Sequence, residues 1–151
     1  MMSTDGLTFL LVDDDVALLQ LVEAMLKVNS TCKVLKALSA LTALNILADT
    51  RERVDCIICD YSMGPMNGLE FLKEIRMGRH LHVPRDIRFV MLTGSGDSGV
   101  VQTAVELDVS GYVVKPVTKA TLLKAIARAF SRRLEPKPEA FYGTMPMPGD
   151  L

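Results

Sequence analysis

Apolar residues fall along the chain in five short runs, and each run is followed by a stretch in which they recur at helical spacing. The first run, Thr8-Phe9-Leu10-Leu11-Val12, stops at Asp13-Asp14-Asp15 and predicts a buried strand with acids at its C-terminal lip. Cys32-Lys33-Val34-Leu35-Lys36-Ala37 alternates loosely and predicts an edge-like second strand. A third strand, 54–59, delivers Asp60 into the loop Tyr61-Ser62-Met63-Gly64-Pro65-Met66-Asn67-Gly68, which carries the turn residues Gly and Pro. A fourth, 87–92, runs out at Thr93-Gly94-Ser95-Gly96. The fifth, Tyr112-Val113-Val114, is opened by Gly111 and ends at Lys115-Pro116.

Helical periodicity covers 16–28, 40–48, 69–76 and 98–107, and a fifth helix follows Thr118. Asp14 or Asp15 caps the first, Ser39 the second and Thr118 the last, because short oxygen-bearing side chains satisfy the free N–H groups of a first turn. On the first helix Leu18, Leu21, Val22, Met25 and Leu26 form the predicted inward stripe, with Leu19 at its edge. That surplus serves either as core or as a rim for a partner helix. Val101, Ala104, Val105 and Leu107 are the apolar positions of the fourth helix, and Leu122, Leu123, Ile126, Ala127 and Phe130 those of the fifth. Strict alternation of strand and helix predicts an α/β domain over 1–130, with a five-stranded parallel sheet covered on both faces. Residues 131–151 hold four prolines and no helical period, and are expected to be a disordered, inert tail. Phe141 and Tyr142 are its aromatics, the type of pair a docking peptide uses.

Composition narrows the function classes. Seventeen basic and 18 acidic residues leave a net charge of -1, with no block of either sign, which speaks against direct nucleic-acid binding and against a membrane-surface patch. Apolar residues make up 49% of the chain, as expected of a globular body. No apolar run reaches the roughly 18 residues of a membrane span, and the start lacks a basic signal-peptide region, so a cytoplasmic location is expected. Three cysteines without framework spacing fit a reducing compartment. Cys56 and Cys59 spell C-x-x-C, but on a strand they point to opposite faces and cannot share a metal.

In an open parallel sheet, ligands bind outside the carboxyl ends of the strands. Four such ends carry Asp13 and Asp14, Asp60, Thr93 and Lys115. Three carboxylates at one lip repel unless a cation sits among them, and their hard oxygens suit Mg²⁺. A lysine opposite and a hydroxyl nearby are the groups needed around a transferring phosphoryl. With charge neutralised, one carboxylate can attack phosphorus and form an acyl phosphate.

These residues resemble the receiver domain of two-component response regulators, of the stand-alone type. The likeness rests on Val12-Asp13-Asp14, on Asp60 with Met63 and Gly68 following it, on Leu92-Thr93-Gly94, and on Gly111-Tyr112-Val113-Val114-Lys115-Pro116. It spans about residues 5 to 130 and implies the doubly wound (βα)5 fold with flavodoxin-like strand order 2-1-3-4-5. It also implies that Asp60 accepts a phosphoryl group from a sensor histidine kinase or a histidine phosphotransfer protein. Asp13, Asp14, Asp60 and the backbone carbonyl of Ser62 would hold Mg²⁺, and Lys115 would pair with the phosphoryl oxygens. Thr93 and Tyr112 would switch the surface of the fourth helix, fifth strand and fifth helix toward a downstream effector protein. The Lys115-Pro116 bond is expected to be cis. Ser62 and Ser95 flank the site, where they would tune the phosphoryl lifetime. Two positions depart from the family pattern: Gly64-Pro65 where the proline usually comes one residue earlier, and Val117 where Phe is frequent.

Two readings of other classes compete. Asp13-Asp14-Asp15 contains the Asp-x-Asp of haloacid-dehalogenase-type phosphohydrolases, with Asp13 as nucleophile and Asp60 expendable. Leu18 and Ala17 stand where that family's motif differs, and the chain leaves no room for its cap. A receiver-like adaptor that works without phosphorylation is the other, against which the complete set of acids, hydroxyl and lysine speaks. No glycine-rich phosphate loop follows the first strand, which argues against a nucleotide-binding module. The tail holds no output domain, so a non-enzymatic signalling protein that acts through protein contacts is the expected function.

Overall fold

A computed structural model of the chain describes residues 2–49, 51–94 and 98–148. Strands β1 (Thr8–Val12), β2 (Lys33–Ala37), β3 (Cys56–Asp60), β4 (Arg88–Thr93) and β5 (Gly111–Val114) alternate with helices α1 (Val16–Lys27), α2 (Ala40–Ala48), α3 (Gly68–Met77), α4 (Ser98–Glu106) and α5 (Lys119–Phe130). All four strand pairings are parallel and the spatial order is β2-β1-β3-β4-β5. The expected (βα)5 architecture and strand order are therefore present.

Side-chain alternation along the strands divides the core into two layers. Phe9, Leu11, Cys56, Ile58, Val90, Leu92 and Val113 face α1 and α5. Leu10, Val12, Ile57, Cys59, Phe89 and Met91 face the layer that contains α2, α3 and α4. The two thiols of the C-x-x-C lie in these separate layers. Burial pushes the Cys56 thiol up to about 12, and burial with the charges of Asp60 and Asp13 raises Cys59 further from reactivity.

Helix faces are rotated slightly from the sequence expectation. Leu19, Val22 and Leu26 are the buried positions of α1, whereas Leu21 is 48% exposed. On α5 the buried face is Leu122, Ala125, Ile126 and Ala129, with Ala127 outside it. Val100 and Ala104 of α4, and Leu107 just past its end, are buried, and Val105 is exposed. On α5 the small residues Ala125 and Ala129 pack against the sheet, where β5 approaches closely. Gly111 shows the same constraint: a Cβ there would lie 2.9 Å from the Ala125 carbonyl oxygen of α5.

The tail departs from expectation. Residues 131–148 lie against the body and include a short helix, α6 (Glu139–Gly143). Tyr142 is 0% exposed, and Met145 and Met147 pack on the layer formed by α2, α3 and α4. The Tyr142 hydroxyl donates to an Asp108 carboxylate oxygen at 2.7 Å and accepts from the Lys137 amide at 3.0 Å. A lack of periodicity does not reveal a segment held by one aromatic side chain whose acceptor sits 34 residues earlier.

Beneath it lies the largest fully buried side chain, Arg76 of α3. Its guanidinium donates to the carbonyls of Asp108, Arg85 and Ile87, with distances from 2.6 to 3.2 Å. Burial pulls its pKa down to about 10, so it remains charged at neutral pH. Arg76→Met leaves three inward-facing carbonyls without donors, and is expected to cost about 3 kcal/mol or more. Urea unfolding followed by circular dichroism reads this as a lower midpoint at unchanged slope.

Candidate functional site

The parallel register brings four strand ends to one lip. Val12 pairs with Ala37 and with Cys59, Asp60 with Leu92, and Thr93 with Val114. Asp13 therefore follows β1, Asp60 ends β3, Thr93 ends β4 and Lys115 follows β5, all at the same edge. Backbone bonds carry the register past the strands. The Tyr61 amide donates to the Leu92 carbonyl at 2.9 Å, and the Lys115 amide to the Thr93 carbonyl at 2.7 Å.

The loop after Asp60 is drawn under the strand end by Gly68. Its amide donates to the Tyr61 carbonyl at 2.9 Å, and a Cβ at this position would stand 2.7 Å from the Asp60 carbonyl oxygen. Only glycine permits that approach. Asn67 then caps α3 in a capping box with Glu70, each donating its amide to the other's side chain. The Asn-x-x-Glu pattern of residues 67–70 is the sequence signal of this cap. The Gly64-Pro65 and Lys115-Pro116 bonds are both cis. Val117, the second departure, packs in the layer of α1 and α5.

Asp60 is 4% exposed and one of its oxygens lies 2.7 Å from the Lys115 ammonium. Asp13 is 3% exposed; its Oδ1 accepts from the Asp15 amide at 2.9 Å, while its Oδ2 has no hydrogen-bond partner. Thr93 is 0% exposed and its hydroxyl likewise lacks a partner. Among the described residues these are the two orphaned buried side-chain polar atoms. Such groups are costly unless something else approaches them, and both lie at this lip. Asp14 is exposed, yet Asp13, Asp14 and Asp60 each offer an oxygen, and these oxygens lie within 4.8 Å of one another. A set of hard oxygen donors with one unsatisfied buried lone pair fits a divalent cation such as Mg²⁺.

Burial raises the Asp13 carboxyl to about 6, and the charges of Asp60 and Asp14 push the same way, against the Asp15 amide and Lys115. Burial alone would lower Lys115, but its hydrogen bond to Asp60 and the charges of Asp60, Asp13 and Asp15 prevail, so the ammonium is held. Asp15 faces the helix and not the cluster: its carboxylate caps α1, accepting from the amides of Ala17 and Leu18. Ser62 lies in the exposed loop beyond Asp60, and Tyr112, on β5, is 43% exposed with its side chain outward. Ser95 lies outside the described residues. A concavity of about 1280 Å³ is lined by Asp55, Arg88, Gly111 and Arg128 among others, and none of Asp13, Asp60, Thr93 or Lys115 lines it.

The model of the response regulator receiver domain matches residues 9–127. This chain belongs to that family. Over 128 residues it is 31% identical to the chemotaxis protein CheY-3 of Vibrio cholerae, covering 84% of this chain and 94% of that one. A chemotaxis protein CheY homolog of Campylobacter jejuni is 32% identical over 113 residues, 75% of this chain and 84% of the relative. Among solved structures, the chemotaxis protein CheY4 of Vibrio cholerae superposes with a TM-score of 0.69 at 30% identity, over 82% of this chain and 98% of the other. A receiver domain protein from Clostridium thermocellum gives 0.71 at 28% identity, over 82% and 93%. Receiver domains of this kind serve two-component signalling and are not classical enzymes. Family membership thus displaces the phosphohydrolase reading. No helix among the described residues is long and apolar enough to cross a membrane.

The raised carboxyl of Asp13 makes a stability prediction. The folded state binds its proton more tightly than the unfolded chain, so between about pH 4 and about pH 6 stability falls as pH rises, and the penalty is complete above that window. In cation-free buffer at pH 8, Asp13→Asn is therefore expected to be more stable than wild type, by on the order of 1–3 kcal/mol. The gain should vanish near pH 4, as read by urea midpoints across pH.

Proposed function

We propose that this receiver domain accepts a phosphoryl group on Asp60 from a phosphohistidine donor and uses it to change a surface read by a protein partner. The observation that supports it most is the Lys115–Asp60 pair, 2.7 Å apart, at the same lip as an Asp13 oxygen and a Thr93 hydroxyl that have no hydrogen-bond partner. An Asp60 oxygen attacks phosphorus, a new O–P bond forms, and the donor's N–P bond breaks as its imidazole takes a proton. Asp13, Asp14 and Asp60, with the Ser62 backbone carbonyl, would hold Mg²⁺, which supplies positive charge to the carboxylates and to the phosphoryl oxygens. Lys115 leaves its ion pair with the bare carboxylate and pairs with a phosphoryl oxygen. It is already charged and anchored through its amide to Thr93.

Switching follows from the two unpaired states. The Thr93 hydroxyl gains a partner once a phosphoryl oxygen stands at the lip, and its movement frees space behind β4. Tyr112, exposed on the adjacent strand, then turns inward, altering the face of α4, β5 and α5. The donors are a sensor histidine kinase or a histidine phosphotransfer protein, and the reader is an effector protein. Hydrolysis of the acyl phosphate by water resets the domain.

Incubation with acetyl phosphate, with and without Mg²⁺, followed by intact mass, tests this reading. Wild type should gain one phosphoryl mass only with Mg²⁺, and Asp60→Asn should gain none. Lys115→Met and Thr93→Ala are expected to bind Mg²⁺ while losing switching, seen as an unchanged Tyr112 environment on phosphoryl donor addition. A folded wild type that takes no phosphoryl group would instead favour an adaptor that works without phosphorylation.

A further inference from the structure

Asp108 is the residue at which the chain leaves α4 for β5. It closes the helix through its amide to the Val105 carbonyl at 3.0 Å and takes a left-handed conformation, φ 59°. Each of its acceptor groups is held from outside α4. Arg76 of α3 donates twice to its carbonyl, at 2.8 and 3.2 Å. Its carboxylate receives the Tyr142 hydroxyl and the Lys137 ammonium, both at 2.7 Å. The C-terminal segment therefore grips the turn that joins α4 to β5, one strand residue before Tyr112.

The grip has one deep anchor. Tyr142 is the single fully buried side chain of residues 131–148; its neighbour Phe141 is 46% exposed, and Met145 and Met147 are partly buried. A segment held by one buried aromatic, two partly buried methionines and a few polar contacts opens at a lower free-energy cost than the core beneath it. The solved relatives superpose on about four-fifths of this chain, with 98% of the Vibrio cholerae CheY4 matched, so the receiver body folds without such an extension.

We propose that residues 131–148 form an intramolecular clasp on the α4–β5 turn, through which docking of the tail and occupancy of the Asp60 site bias one another. This rests on the reading of Asp60 as phosphoryl acceptor. At its start α4 follows the Thr93–Gly94 strand end, and at its end it is fastened to the tail, so a displacement of this nine-residue helix must either carry the clasp or break it. The coupling is reciprocal: whichever state of α4 the tail favours, phosphorylation shifts the tail-docking equilibrium by the same factor as tail docking shifts the phosphorylation equilibrium.

Hydrogen exchange with mass spectrometry on the full chain tests this, using wild type, Tyr142→Ala, Tyr142→Phe and Lys137→Met, each with and without acetyl phosphate and Mg²⁺. Wild type should protect 139–147. Tyr142→Ala should speed exchange there by about tenfold or more and also speed exchange at 100–109, with a changed acyl-phosphate lifetime. Tyr142→Phe and Lys137→Met keep the packing and remove single contacts to Asp108, so they carry the test if Tyr142→Ala fails to fold, and should shift both segments in the same direction by less. Phosphorylated wild type should show altered exchange at 139–147. Release of the tail with no change at 100–109, or phosphorylation that alters 100–109 and leaves 139–147 untouched, would overturn the clasp. If acetyl phosphate leaves no adduct on Asp60, the acceptor reading fails, and the exchange of the unphosphorylated variants alone decides whether the tail holds α4.

Discussion

Like charge concentrated at one edge of a parallel sheet is the constraint on which the rest of this molecule depends. Three aspartate carboxylates approach within 4.8 Å, two of them almost fully buried, and a single ammonium lies against one of them. Such an arrangement costs folding free energy that the surrounding core must offset. The two layers of aliphatic side chains on either face of the sheet supply it, and the parallel register fixes the strand ends to which the charges are attached. The register thus holds like charges together at a cost that an approaching cation would relieve.

Most of that frame was readable from residue pattern. Alternating apolar runs and helical stretches predict the fold class, and the parallel sheet then requires Asp13, Asp60, Thr93 and Lys115 to meet at one lip, as they do. The strand order came from family resemblance, since periodicity does not specify which strands are neighbours. Helix faces were less legible: Leu19, at the edge of the α1 stripe, is core, while the buried face of α5 includes Ala125 and Ala129, small residues that a hydropathy stripe ranks low. The orphaned oxygens of Asp13 and Thr93 were not legible at all. Which lone pairs lack a partner depends on every neighbour in three dimensions.

The C-terminal segment shows a different limit. Proline content and lost periodicity describe a chain that forms no core of its own, and they do so correctly for residues 131–148. They do not describe a chain that borrows a core. Tyr142 finds its acceptor on Asp108 and its apolar surroundings on α3, and Arg76 supports the same turn from beneath. Arg76 itself is a charged residue in an amphipathic helix, and helical periodicity over 69–76 does not reveal its burial. Its burial follows from three carbonyls, those of Arg85 and Ile87 in the α3–β4 loop and of Asp108 in the α4–β5 turn, that converge on it.

Calorimetric titration of the protein with Mg²⁺ from about pH 5 to about pH 8 tests the central claim most directly, because the carboxylate cluster must lose its proton to take up the cation. With Asp13 raised to about 6, affinity should climb as pH rises through that value and level off above it, and Asp13→Asn should flatten the dependence while weakening binding. An affinity that stays constant over the range, or survives intact in Asp13→Asn, would contradict the assignment of this lip as a cation-dependent phosphoryl site.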